Sequence, residues 1–226
     1  MHIEPGVVDG AKIVLSYGSA AAAVAGAAWL ALDSVRRRGL LQLLGKSALA
    51  TLLVFVCFEV LPHHPVGVSE VHLIVGTTLF LLFGPAAAAI GLAGGLLVQG
   101  LFFAPTDLPQ YGMNVTTLLV PLFAIVALAK KIIAPETAYV DLSYAQTFKL
   151  SVAYQGGIVA WVGFWALYGH GFGAQNLAEI ASFGGAYLLV VTVEPLIDLA
   201  VLAAAKALHG LRGSLFLERR LFSASV

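Results

Sequence analysis

The residues of this sequence best suited to chemistry are the first two, Met1 and His2. A terminal amine, the amide nitrogen of the second residue and Nδ1 of its imidazole can close two fused chelate rings on one metal ion. These three nitrogens share a plane and leave a fourth position for a ligand from elsewhere in the chain. Planar nitrogen coordination suits Ni(II) and Cu(II). The alternative interpretation is a frayed terminus with a surface histidine.

The composition places these residues in a membrane protein. Hydrophobic residues make up 60% of the 226-residue chain and charged residues only 11%, whereas about a quarter of the residues in a soluble domain are charged. The lipid bilayer is therefore an expected partner. The formal net charge is zero, so nucleic acid is not an expected partner. The single cysteine, Cys57, cannot form a disulfide within the chain.

The hydrophobic segments predict an all-α integral membrane protein, a bundle of about seven transmembrane helices forming one domain over residues 1–226. A membrane-spanning helix needs about 20 apolar residues. The apolar stretch 72–104 would be about 50 Å long as one helix, and Gly84-Pro85 interrupts it, so we count it as two spans. The predicted helices are residues 13–32, 40–61, the two parts of 72–104, 113–128, 148–168 and 180–208.

The basic residues support this count and predict an orientation. Lys and Arg accumulate in cytoplasmic loops. Arg36–Arg38 and Lys130-Lys131 fall on the same side only if the stretch 72–104 crosses twice. We therefore expect the N-terminus outside and the C-terminus in the cytoplasm. Five of the six histidines then lie near the outer face: His2, His63, His64, His72 and His170.

The start of the chain does not resemble a signal peptide, which carries positive charge before its apolar core. Glu4 and Asp9 outweigh the single Lys12 in this segment. We therefore expect the N-terminus to be retained with a free amine, as the proposed chelate requires.

Four short motifs in the first half of the chain keep a characteristic order and spacing. They are Met1-His2-Ile3, His72 twelve residues before Gly84-Pro85, Val98-Gln99-Gly100-Leu101, and Gly112-Met113-Asn114. In this order they resemble the substrate-binding permease of cobalt/nickel energy-coupling-factor transporters, the CbiM/NikM family. The second half of the chain resembles that family only as hydrophobic helices.

The resemblance implies a metal site near the outer face. In that family the ligands are the terminal amine, the backbone and side-chain nitrogens of the second-residue histidine, and a histidine from the loop that enters the third helix. They carry over to Met1, His2 and His72. Asn114 matches a family asparagine that lies near the site. The transported substrate would be Ni(II) or Co(II), and the family also has seven transmembrane helices.

The resemblance also implies a function. It is high-affinity capture of Ni(II) or Co(II) by the substrate-specific subunit of an ATP-driven energy-coupling-factor importer. The membrane would be the inner or plasma membrane of a bacterium or archaeon. No phosphate-binding Gly-x-x-x-x-Gly-Lys-Ser/Thr motif occurs in the sequence, so we do not expect an enzyme. ATPase subunits and a coupling transmembrane subunit are the expected partners, and a small accessory membrane subunit is a further candidate. A stand-alone metal carrier or channel and an intramembrane metalloenzyme are the alternatives.

Several other polar residues have two interpretations. His63 and His64 lie between prolines and either gather metal, as gating residues or an alternative fourth ligand, or belong to a solvated loop. Asn114 either bonds to His72 and sets its tautomer or caps its own helix.

The acidic residues near these histidines and in the last helix are harder to assign. Glu70 and Asp107 are expected to be solvated. Glu194 and Asp198 are costly inside a membrane, and we interpret them as a polar spot that faces a partner beside a kink at Pro195.

Overall fold

The computed structural model describes residues 2–210, which fold mainly into α-helices. The seven helices of this part of the chain are α1 (Ile13–Arg38), α2 (Leu40–Phe55), α3 (Gly76–Phe83), α4 (Pro85–Phe102), α5 (Tyr111–Ile132), α6 (Tyr144–His170) and α7 (Ala174–Gly210). The all-α class predicted from the sequence is confirmed for these residues. Met1, a predicted metal ligand, lies outside the described residues.

Six helical segments of the described chain are long and apolar enough to cross a membrane. The predicted break in the stretch 72–104 is present, because α3 ends at Phe83 and α4 begins at Pro85. Seven helices are present in the described chain, as predicted, but α3 has only eight residues and is not of spanning length by itself. Residues 72–75, before α3, are not helical.

The segment formed by residues 72–75 and α3 runs between the two ends of the bundle. Four non-helical residues and eight helical ones can span at most about 25 Å, close to the thickness of a hydrocarbon core. Gly84 turns the chain with a φ of 89°, and a Cβ on Gly84 would lie 4.0 Å from Nη1 of Arg38, at the end of α1. Residue 84 thus lies at the end of the bundle where α1 finishes.

The connection after α2, predicted only as a polar loop, forms a small antiparallel hairpin. Its strands are β1 (His64–Val66) and β2 (Ser69–Val71), and Val66 pairs with Ser69. Gly67 in the two-residue connection has a φ of 60°, and a Cβ there would lie 2.2 Å from the backbone oxygen of Glu179. The hairpin is therefore seated closely on the first part of α7.

Small residues let the central helices approach each other. A Cβ on Gly91 of α4 would lie 2.4 Å from Cβ of Ala50 on α2, and one on Gly95 would lie 2.5 Å from Cγ1 of Val54. Such glycine contacts are typical of helix packing in membranes, where van der Waals contact drives association. Large apolar side chains such as Trp29 and Leu41 are exposed on the outside of the bundle, as contact with lipid requires.

Candidate metal-binding site

The N-terminal residues join the hairpin as a short third strand. Ile3 forms an antiparallel bridge with Ser69, and the N–H of Glu70 donates to the carbonyl oxygen of His2 at 2.8 Å. The hydroxyl of Ser69 donates to the same oxygen, also at 2.8 Å. Ile3 is completely buried. These contacts hold His2 beside β2.

Two helices also hold the N-terminal segment. The backbone N–H of Ile3 donates to Oδ1 of Asn114 on α5 at 2.8 Å. Nε2 of His170, the last residue of α6, lies 3.0 Å from the carbonyl oxygen of Gly6. Residues 2–6 are therefore held by the hairpin and by both helices.

Three side chains converge at this end of the bundle: His2, Glu70 and His72. Nδ1 of His2 lies 2.9 Å from Oε2 of Glu70 and 3.1 Å from Nε2 of His72. The third side of the triangle, from Nε2 of His72 to Oε2 of Glu70, is 3.3 Å. Ligand atoms at about 2.0–2.1 Å from one ion, at right angles to each other, lie about 2.9 Å apart. The triangle thus has the spacing of ligands around a single divalent cation.

Local structure explains why these three side chains meet. Side chains two positions apart in an extended chain point to the same face, so Glu70 in β2 and His72 just after it share a face. The strand formed by the N-terminal residues brings His2 to that face. His2 and His72 are buried, and the Glu70 side chain is 21% exposed.

Burial keeps both imidazoles neutral at physiological pH. It lowers the pKa of His2 to about 4 and that of His72 well below its ordinary value. Burial of Glu70 acts to raise its pKa, but hydrogen bonds with His2 and His72 outweigh this effect and hold the pKa well below the usual range. The cluster therefore offers two neutral nitrogen donors and one carboxylate, a set that attracts a transition-metal cation.

The remaining ring nitrogens of the two histidines lie outside the cluster. Nε2 of His2 and Nδ1 of His72 are buried and form no hydrogen bond within the described chain. A neutral imidazole carries a proton on one nitrogen and a lone pair on the other. If the clustered nitrogens bind a cation, these two outer nitrogens carry the protons.

Aromatic rings form one wall of the site. The ring of Phe58 lies 5.8 Å from that of His2 and 5.0 Å from that of His72, between centroids. Phe58 belongs to a π-helical turn, Val56–Val60, which continues α2. Such turns occur often at functional sites. The wall shields both imidazoles from solvent.

The structure separates the two histidines of the 62–65 segment. The ring of His63 stacks on that of His72, with centroids 5.5 Å apart and planes inclined by 20°. His63 does not belong to the cluster of ligand atoms, which comprises His2, Glu70 and His72. His64 is exposed in β1, where it pairs with Val71. The gating role considered for both histidines stays a prediction.

Two sequence-based interpretations are corrected here. Glu70, expected to be solvated, is a member of the cluster; the signal that identifies it is its position two residues before His72 in an extended segment. Asn114 neither bonds to His72 nor caps its helix, because it lies inside α5, whose N-cap residue is Gln110, and it accepts from Ile3.

A helical membrane bundle with a buried His-His-Glu cluster at one end defines a multi-pass membrane protein with a candidate site for a transition-metal ion. Residues 2–209 match the model of the CbiM family, described as cobalt uptake substrate-specific transmembrane region. The chain belongs to this family and is thus a membrane component of metal uptake.

Solved structures share the fold. One, described as a transition metal transporter, is 20% identical, with 99% of this chain and 100% of the other covered and a TM-score of 0.66. A second, described as a truncated transition metal transporter, is 19% identical, with coverages of 90% and 97% and the same TM-score. Comparison with functionally curated proteins finds no match.

Proposed function

We propose that this chain captures Ni(II) or Co(II) with high affinity as the substrate-specific subunit of an ATP-driven energy-coupling-factor importer. The observation that carries the proposal is the approach of Nδ1 of His2 to Nε2 of His72, at 3.1 Å. Oε2 of Glu70 approaches the same two nitrogens, at 2.9 Å and 3.3 Å, so three possible ligand atoms face one point. A shared cation accounts for the arrangement.

The proposed ligand set combines the cluster with the start of the chain. The terminal amine of Met1, the amide nitrogen of His2 and Nδ1 of His2 form the two chelate rings. Nε2 of His72 takes the fourth position, next to Nδ1 of His2. The carboxylate of Glu70 then serves as an additional ligand or as the charge partner of the cation.

The remaining parts of the proposal follow from the family. The site faces the outside of a bacterial or archaeal inner or plasma membrane, so that the ion is captured before it crosses. ATP is hydrolysed by ATPase subunits, and a coupling transmembrane subunit joins them to this chain. In this proposal the metal is the transported substrate, and the chain itself is not an enzyme.

The test is metal titration of the purified chain, with a C-terminal tag and an untouched N-terminus. We expect tight binding of Ni(II) and Co(II) by calorimetry. One residue added before Met1, or the substitution His72→Ala, should weaken binding by at least about tenfold. His209→Ala is the matched control, since His209 is exposed near the end of α7 and outside the cluster. If the extended chain and His72→Ala both bind as tightly as the parent, the proposed site is wrong.

A further inference from the structure

A buried chain of hydrogen bonds connects α7 to the segment that carries His72. Glu194 of α7 is completely buried. One oxygen of its carboxylate accepts from the backbone N–H of Ile74, and the other accepts from Nε2 of Gln155 on α6. The hydroxyl of Tyr187 donates to Oε1 of Gln155 at 2.6 Å. Glu194 therefore does not face a partner, as the sequence suggested, but binds the backbone two residues after a proposed metal ligand.

The backbone at the next residue is strained. Val75 has φ 51° and ψ 29°, in the left-handed region, and it is the N-cap residue of α3. A β-branched residue is rarely found there, and such a conformation persists only where its surroundings determine it. Ile74 is completely buried, and a Cβ on Gly76 would lie 2.3 Å from Cε1 of Tyr154. Packing and Glu194 together keep the turn in place.

The hydrogen bond between Glu194 and Ile74 satisfies two polar groups that would be costly to leave unpaired within the membrane. Residues 72–75 cross part of the bundle without helical hydrogen bonds, and an unpaired backbone N–H is costly there. A carboxylate buried in a transmembrane helix is costly as well. Glu194 and the N–H of Ile74 satisfy each other. The position of this turn, and hence of the imidazole two residues before it, is set by a side chain of α7.

We propose that Glu194 is a positioning residue for the metal site: it holds the turn at Val75, and so places Nε2 of His72 beside Nδ1 of His2. This inference rests on the proposed function, because the site it serves is the proposed metal site. Glu194 is not one of the proposed ligands and acts through the backbone of Ile74 and Val75. A displacement of α7 along its axis would therefore move His72 away from the other ligands.

The experiment measures the turn and the metal site separately. Hydrogen–deuterium exchange of the metal-free protein reports on the backbone amides of residues 72–76. In Glu194→Leu, which removes both acceptor oxygens, we expect at least about tenfold faster exchange of this segment. The affinity for Ni(II) should fall by about tenfold or more.

Two variants separate positioning from a general loss of structure. Glu194→Gln keeps one side-chain oxygen for the N–H of Ile74, so it should restore most of the protection and most of the affinity. Glu179→Gln makes the same change at a partly exposed position of α7, where the side chain of Glu179 accepts a hydrogen bond from Gln175, and should behave as the parent. If Glu194→Leu fails to fold, Glu194→Asp decides, because it keeps the carboxyl group but withdraws it from Ile74.

The outcomes are distinct. The inference is overturned if residues 72–76 of the folded Glu194→Leu or Glu194→Asp protein exchange as slowly as in the parent. It is also overturned if these residues exchange faster but the affinity for Ni(II) is unchanged. If the parent chain binds neither Ni(II) nor Co(II), the proposed function fails. The hydrogen–deuterium exchange of residues 72–76 then shows by itself whether Glu194 holds the His72 segment in place. Faster exchange together with weaker binding, both restored in Glu194→Gln, supports positioning by Glu194.

Discussion

At the scale of single residues, Glu70 gives the cluster its charge. Its carboxylate contacts the ring nitrogens of both His2 and His72, and it is the only acidic group among the three. We expect Glu70→Gln to keep the size of the side chain but to lower the affinity for Ni(II) by about tenfold, as is usual when a group next to a metal ligand is changed. Calorimetry measures this. Asp9→Asn, at an exposed position near the N-terminus, is the control; a Glu70→Gln protein that binds like the parent would contradict the role of the charge.

The buried imidazole of His2 predicts how stability depends on pH. Its pKa is about 4 in the folded protein, against an ordinary value of 6.5. Between these values the unfolded chain binds the proton and the folded chain does not, so the free energy of unfolding falls as the pH falls from 6.5 towards 4. Thermal unfolding of the metal-free protein in detergent, scanned over this range, measures the effect. His2→Asn should reduce the slope, and an identical slope in both proteins would show that His2 is not buried as described.

At the scale of elements, the hairpin depends on one glycine. Gly67 combines a positive φ with a close approach to the backbone oxygen of Glu179. We expect Gly67→Ala to destabilise the seating of the hairpin on α7 by about 2 kcal/mol, because the backbone or the contact must shift. The change should appear as a lower melting temperature and as weaker binding of Ni(II). Gly173→Ala is a matched control, since a Cβ there meets nothing within 4 Å, and an equal loss in both variants would contradict this account.

The sequence predicted the long elements well and the short ones poorly, for physical reasons. The length of each hydrophobic segment indicates which parts of the chain form long helices, and Gly84-Pro85 marks the break before α4. The shortness of α3 could not be predicted, because the acceptor for the N–H of Ile74 is Glu194, 120 residues further along the chain. The hairpin was missed because each of its strands has only three residues, too few to show the alternation that indicates a strand.

At the scale of the whole molecule, the candidate site was only partly predictable. His2 and His72 could be paired from their chemistry and from the family's spacing, and the structure places them together. Glu70 could not be distinguished from a solvated acid without knowing that the segment before His72 is extended. Asn114 was expected near the site, but the partner it binds is the backbone of the N-terminal strand, which no local pattern indicates.

The N-terminal strand also has a consequence for biosynthesis. His2 and Ile3 are synthesised before the parts of the protein that hold them, which are the hairpin and Asn114 of α5. Since proteins are made from the N-terminus at a few residues per second or faster, the first residues must wait until more than half of the chain has emerged. The candidate site therefore gains the bond between Ile3 and Asn114 only after α5 has been made. A truncated product that stops before α5 would carry His2 and His72 but would lack this bond.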